Sequence, residues 1–162
     1  MMEQEYILIP YYDTEDIIKT EEVLCEKLSD NTYRLIEIPL WACLSIGDVI
    51  KVTVSDKYKN RLVFCEIINS SNNSTIQVIE ITDGELEAQV LPRLKQLVGD
   101  ENIRFDLENI NFSSHKYISF NVPQDMDYMT VNNLLLEWRR NNFIDFQIAV
   151  FASKHKPKNN QI

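Results

Sequence analysis

The chain has 162 residues, 44% of them hydrophobic, with 16 basic and 25 acidic side chains and a formal net charge of −9. That length fits one large domain or two small ones, and the apolar content is ordinary for a chain that buries a core. No apolar run reaches the roughly 18 residues that span a bilayer, and the acidic start Met1-Met2-Glu3-Gln4-Glu5 lacks a secretory leader's basic and apolar regions, so a cytoplasmic protein with no membrane partner is expected.

Glu5-Tyr6-Ile7-Leu8-Ile9-Pro10 reads as a first strand that Pro10 ends, because proline cannot donate to a ladder, and Asp13-Thr14-Glu15-Asp16 as an acidic loop. Glu22 to Leu28 and Thr32 to Ile38 are β-prone runs separated by Ser29-Asp30-Asn31, a hairpin pattern. After Pro39 the run Leu40-Trp41-Ala42-Cys43-Leu44 leads into Ser45-Ile46-Gly47-Asp48, ordinary turn chemistry for Gly and Asp. Val49 to Val54 and Leu62 to Ile68 make a second hairpin across Lys57-Tyr58-Lys59-Asn60. Short strands at near-regular spacing predict a small antiparallel barrel over residues 1–72. Ser70-Ser71-Asn72-Asn73-Ser74 is too short for a linker of any reach, so the two halves should pack together.

Residues 73–153 carry the order βαββαβ, the split-βαβ or ferredoxin-like unit. Thr75 to Ile81 alternates as a strand, and Thr82-Asp83-Gly84-Glu85 has capping-box spacing. Leu86, Val90, Leu94 and Leu97 recur at helical spacing; Gly99 supplies a stop and Pro92 a kink or restart near Gln89. Ile103 to Leu107 and Lys116 to Val122 are the central strands. A second helix opening at Pro123-Gln124-Asp125 carries Val131, Leu134, Leu135 and Trp138, and Phe143 to Phe151 closes the sheet. Both helices should cover one sheet face, burying Leu86, Leu94, Leu97, Met129, Val131, Leu134, Leu135 and Trp138. Residues 154–162 read as a basic disordered tail. The expected class is therefore α+β, a small N-terminal antiparallel β-barrel-like unit followed by a ferredoxin-like one.

Little in the chain announces chemistry. Cys25, Cys43 and Cys65 stand far apart with no C-x-x-C pair and two histidines in all, against the close-paired ligands of structural zinc. Cys25 and Cys65 read as small buried hydrophobes in strands. His115 follows Ser113-Ser114, but a triad is recognised by geometry and not by adjacency, so it reads as a turn residue. Pairs such as Glu21-Glu22 suit solvated faces. Neither a P-loop nor G-x-G-x-x-G occurs. Lys116 to Val122 has the aromatics of an RNA-recognition strand without its glycines. No metal, cofactor or catalytic residue is expected.

Charge speaks to partners. The last nine residues hold three lysines and no acid, which leaves the body with 13 basic and 25 acidic side chains, a charge of −12. Such a field repels phosphate backbones and steers a basic protein partner.

Val23 to Val52, with Asn31-Thr32-Tyr33-Arg34-Leu35 and Ser45-Ile46-Gly47-Asp48-Val49-Ile50 inside it, resembles a bacterial family known only as a domain of unknown function. Its members tend to carry G-R-Y-R-L … I-P, then G-D-V-V. Leu62-Val63-Phe64 through Ser74-Thr75-Ile76-Gln77-Val78 resembles its next block, and Ile118 to Pro123 with Asp127-Tyr128 its D-V-P … D-Y motif. The likeness covers most of residues 20–142. It departs where the family often has Gly-His before Ser-Thr, since this chain has Asn72-Asn73, and at the lysine-bearing C-terminus. Small acidic proteins of this style resemble immunity proteins of contact-dependent growth inhibition systems. That resemblance implies a non-enzymatic monomer that binds a basic toxin domain, a nuclease, and blocks its active-site or substrate surface. Candidate toxin-binding carboxylates are Asp13, Glu15, Asp16, Glu85, Glu87, Asp125 and Asp127. A metabolite-binding regulatory domain, with an apolar pocket and a dimeric state, is the alternative.

Overall fold

The computed structural model describes residues 1–13, 15–106 and 116–157. It is a mixed α+β molecule, mostly strands. Five strands, β1 (Gln4–Tyr12), β2 (Ile18–Ser29), β3 (Thr32–Leu35), β4 (Val49–Ser55) and β5 (Arg61–Asn69), follow one another around a closed barrel. Consecutive neighbours are antiparallel, but the barrel closes through a parallel β1–β5 pair, Leu8↔Val63. The expectation of an all-antiparallel barrel is corrected here for a simple reason. A meander reverses direction at every turn, so with an odd number of strands the first and last run the same way. Alternate residues point inward and form the core: Ile7 and Ile9, Val23 and Cys25, Tyr33 and Leu35, Ile50 and Val52.

Pro10 does not end β1, which continues to Tyr12 in register with β2, Pro10 facing Thr20. Beyond Leu8↔Val63 no second neighbour pairs with that strand among the described residues, and a residue without a ladder donor is tolerated at such an edge. Cys25 is buried as expected, but Cys65 is exposed, as is Cys43. The reason is a break in the ladder: Leu62 and Phe64 pack against the barrel core, and the register shifts between Lys51↔Glu66 and Val52↔Phe64, so Cys65 falls at the irregularity, one residue out of phase with them.

Between β3 and β4 the chain runs irregularly, yet Ile38, Leu40, Ala42, Leu44 and Ser45 are buried. A buried loop must find partners for its backbone. Asp48 supplies one set: its Oδ2 accepts from Ser45 N–H (2.8 Å) and its Oδ1 from Ser71 N–H (2.8 Å), tying the loop to the connection between the two units. Gly47 has φ +86°, and a Cβ there would stand 3.1 Å from the Ser71 Cβ, so the turn needs glycine for both conformation and space. Asn73 donates to Ile46 O and accepts from Gln124 N–H, and Ser45 Oγ lies 2.7 Å from Thr75 Oγ1. Asn72, where the family resemblance leads one to expect Gly, sits at φ +62°, a conformation asparagine tolerates. The connection is pinned at every other residue.

The second sheet contains β6 (Ser74–Glu80), β7 (Ile103–Asp106), β8 (Tyr117–Val122) and β9 (Ile144–Val150) in the order β7-β8-β6-β9, all neighbours antiparallel. A π-helical stretch, Leu86–Val90, runs into α1 (Leu91–Val98), and α2 (Tyr128–Arg140) joins β8 to β9. Pro92 sits in the first turn of α1, where its missing N–H costs nothing, and the change from π to α geometry falls at the expected restart. Both helices pack on the face bearing Ile76, Val78, Ile118 and Phe120.

Three local expectations are corrected. No capping box forms, because Thr82 Oγ1 donates to Asn142 O instead. Helix α2 begins after Asp127, whose Oδ1 accepts from Met129 N–H; the Pro123–Asp125 stretch precedes it. Met129 is 52% exposed, since Tyr128, Val131, Leu135 and Trp138 define the buried stripe and Met129 lies one residue, about 100°, off it. Leu134 and Leu97 are half-buried against the same core. The tail is ordered further than expected: Ser153–His155 form a 3₁₀ turn, and His155 is buried, with Nδ1 2.6 Å from Ser74 Oγ and Nε2 2.9 Å from Pro123 O. The Ser113-Ser114-His115 turn and residues 158–162 lie outside the described residues. No helix among the described residues is long and apolar enough to cross a membrane.

Candidate binding cleft at the barrel–sheet junction

Past the closure point, β1 and β2 continue as a two-stranded arm whose register runs to Tyr12↔Ile18. The foot of this arm meets the second sheet through a graded stack of rings. Trp41 lies 4.0 Å from Tyr117 and 6.2 Å from Tyr11, with all three planes within 17° pairwise along the stack. Tyr117 Oη donates to Leu40 O at 2.7 Å. Burial, with the charges of Glu21 and Asp106 beside it, pushes the Tyr117 hydroxyl far above the ordinary tyrosine range. Tyr11 is raised too, chiefly by burial, with Lys19 opposing.

Under this stack sits Glu21. Its phase along β2, two residues before Val23 and four before Cys25, turns it to the inner side of the strand, and it is only 7% exposed. Its carboxylate accepts from three successive backbone donors, Leu40 N–H (2.6 Å), Trp41 N–H (2.9 Å) and Ala42 N–H (2.9 Å). Reading Glu21 with Glu22 as a solvated pair is therefore corrected for Glu21: it holds the buried loop. Arg104, from β7, reaches across the junction to Glu21 (3.4 Å), Glu37 (3.4 Å) and Ile38 O (2.7 Å). Glu37 also accepts from Leu24 N–H at 3.0 Å. A buried ion pair of this kind stabilises only when its remaining lone pairs are satisfied, and here the backbone satisfies them.

These groups border an open cleft of about 510 Å³ lined by Tyr6, Tyr11, Thr20, Glu21, Glu22, Glu37, Leu40, Trp41, Arg104 and Asp106. Its lining combines the rings of Tyr6, Tyr11 and Trp41 with the carboxylates of Glu21, Glu22, Glu37 and Asp106, and it is more polar than apolar. Such a lining suits a cation, held by carboxylates and by ring faces. Among the described residues no group of three or more His, Cys, Asp or Glu side chains is placed to hold a metal ion.

The seven carboxylates picked from the sequence fall in three places. Asp13, Glu15 and Asp16 lie at the end of the arm, above the cleft; Asp13 accepts from Glu15 N–H and Ile17 N–H and pairs with Lys19 at 3.0 Å. Those hydrogen bonds and Lys19 hold its carboxyl below the ordinary carboxylate value. Glu85 and Glu87 open the first helical segment, Glu87 pairing with Lys116 beside β8's first residue. Asp125 and Asp127 follow β8's other end, and Asp127 is committed to capping α2. The structure therefore brings the first group toward the cleft and separates the other two along the length of β8.

Residues missed in the sequence are Glu21, Glu37, Trp41, Tyr11, Arg104 and Asp106. One signal was present, the in-phase spacing of Glu21 with Val23 and Cys25. Nothing local marks Arg104, whose partners lie 66 to 83 residues away.

A family model described as a domain of unknown function, DUF4265, matches residues 21–146, which span the buried Glu21, the Gly47-Asp48 turn and the second sheet. The chain belongs to the DUF4265 family. This DUF4265 protein is also similar to a solved structure of a hypothetical protein from Neisseria gonorrhoeae, with a TM-score of 0.67 at 21% identity over 94% of this chain and 96% of that one. At that identity the likeness is one of fold. No curated protein matches the chain.

Proposed function

We propose that this DUF4265 protein acts by binding another protein, and specifically that it is an immunity protein whose acidic surface occludes the substrate cleft of a cognate basic toxin, a nuclease of a contact-dependent growth inhibition system. The observation that carries this reading is the cleft lined by carboxylates and aromatic rings beside the acidic arm, on a body with 25 acidic against 13 basic side chains. A nuclease presents lysines and arginines where its phosphates bind, and complementary fields raise association rates and fix orientation. The metabolite-binding alternative calls for a mainly apolar pocket with a few convergent polar groups, and this cleft has the opposite balance. The reading places the protein in the cytoplasm as a monomer that pairs with the toxin. We take the second unit as ferredoxin-like on its strand order and its two one-face helices, a scaffold that here serves to set the arm and cleft in place.

The reading requires a toxin gene directly upstream, and the test is co-purification with the toxin domain found there, followed by stopped-flow association from 50 to 500 mM salt. A stable complex is expected, with an association rate that falls steeply as salt screens the steering field. No complex at any salt rejects the reading.

A further inference from the structure

We propose that the β1–β2 arm and the cleft at its foot form one recognition surface, onto which a basic protein docks with a lysine or arginine side chain entering the cleft. This rests on the protein-binding reading above and deepens it. The arm offers apolar anchors: Tyr12 is 72%, Ile17 52% and Ile18 53% exposed, and Tyr12 and Ile18 face each other across the register. Isolated exposed apolar residues need no explanation. Three together at the end of an arm, beside the cleft, match the pattern of a hot spot, with aromatic and aliphatic anchors ringed by polar groups.

Charge chooses the occupant. Around arm and cleft stand seven carboxylates, Asp13, Glu15, Asp16, Glu21, Glu22, Glu37 and Asp106, against three cations, Lys19, Arg61 and Arg104, a formal excess of four negative charges. Tyr6 and Tyr11 bring rings to the same lining, against which a guanidinium or ammonium packs. Arg104 already displays the chemistry in miniature, one guanidinium shared between two carboxylates and a carbonyl. Glu22 and Tyr6 are exposed members of the lining, and the guest side chain is expected to meet them on entry.

Two experiments separate this surface from the wider reading. The first titrates ¹⁵N-labelled protein with a twelve-residue Gly-Arg repeat peptide and with the same peptide carrying neutral citrulline for arginine. Chemical-shift changes are expected at Tyr6, Tyr11, Glu22 and the Trp41 indole, and at Tyr12, Ile17 and Ile18, for the arginine peptide only. The variants Tyr12→Ser/Ile18→Ser and Glu22→Gln, all at exposed positions and checked for unchanged thermal unfolding, should weaken binding at least tenfold. Shifts spread over the whole acidic surface, no shifts at millimolar peptide, or unaltered binding by these variants overturns the proposal. The second repeats the toxin co-purification with the same variants. A complex that forms and loses less than threefold affinity places the toxin elsewhere and sinks this surface while the immunity reading stands; localised arginine-peptide binding without any toxin complex supports the surface and sinks the immunity reading.

Discussion

Asp13 shows how a surface acid acquires a structural task. Its side chain accepts from two backbone N–H groups of the turn it opens and meets the Lys19 ammonium, so its carboxyl titrates below the ordinary value of 3.8. A group with a depressed folded-state pKa contributes stability above its unfolded pKa and loses it as pH falls through the folded one. At pH 7 the contribution is present in full; it starts to decline near pH 3.8 and is lost as pH falls through the lower folded-state value. Asp13→Asn should therefore be less stable than the parent at pH 7, and the gap in urea midpoint should close on acidification towards pH 2.5. A gap that is constant over this range refutes the assignment. The buried cysteine follows the opposite rule for charge: burial pushes the Cys25 thiol up to about 12, leaving it unreactive, whereas Cys43 and Cys65 face solvent.

Helix α2 illustrates why a hydrophobic stripe is a matter of phase. Tyr128, Val131, Leu135 and Trp138 are spaced by three and four and pack on the sheet, while Met129, equally apolar, faces outward. Leu135→Ala removes a fully buried side chain and should cost about 2–5 kcal/mol in denaturant unfolding. Met129→Ala should change stability by no more than about 0.5 kcal/mol. Equal losses from the two variants would mean that the stripe is placed wrongly.

At the scale of the whole molecule, barrel and sheet are joined by polar chemistry as well as by the Trp41–Tyr117 ring contact. Asp48 pins the connection, Arg104 spans the junction, and Glu21 terminates the backbone donors of the loop between them. Removing one partner of such a buried set leaves the others uncompensated. Glu21→Ala should lower stability by about 3–5 kcal/mol, measured by urea unfolding, with fluorescence of the junction residue Trp41 reporting the change. A loss below about 1 kcal/mol would show that the junction draws its strength elsewhere.

Much of this architecture was legible in the chain itself, because alternation and helical spacing are local properties. The five barrel strands, the two helices, the restart at Pro92 and the tight connection all follow from patterns within a dozen residues. So did the inward phase of Glu21, had it been read against Val23 and Cys25. Three things waited for the tertiary structure. That the barrel closes at all, at Leu8↔Val63, depends on bringing the first strand beside the fifth, more than fifty residues away. The ordering of His155 depends on Ser74, 81 residues earlier. The cleft exists only where Glu21, Glu37, Trp41 and Arg104 meet. Periodicity states which face of an element is buried; which other element buries it, and which charges that contact brings together, is fixed only when distant segments pack.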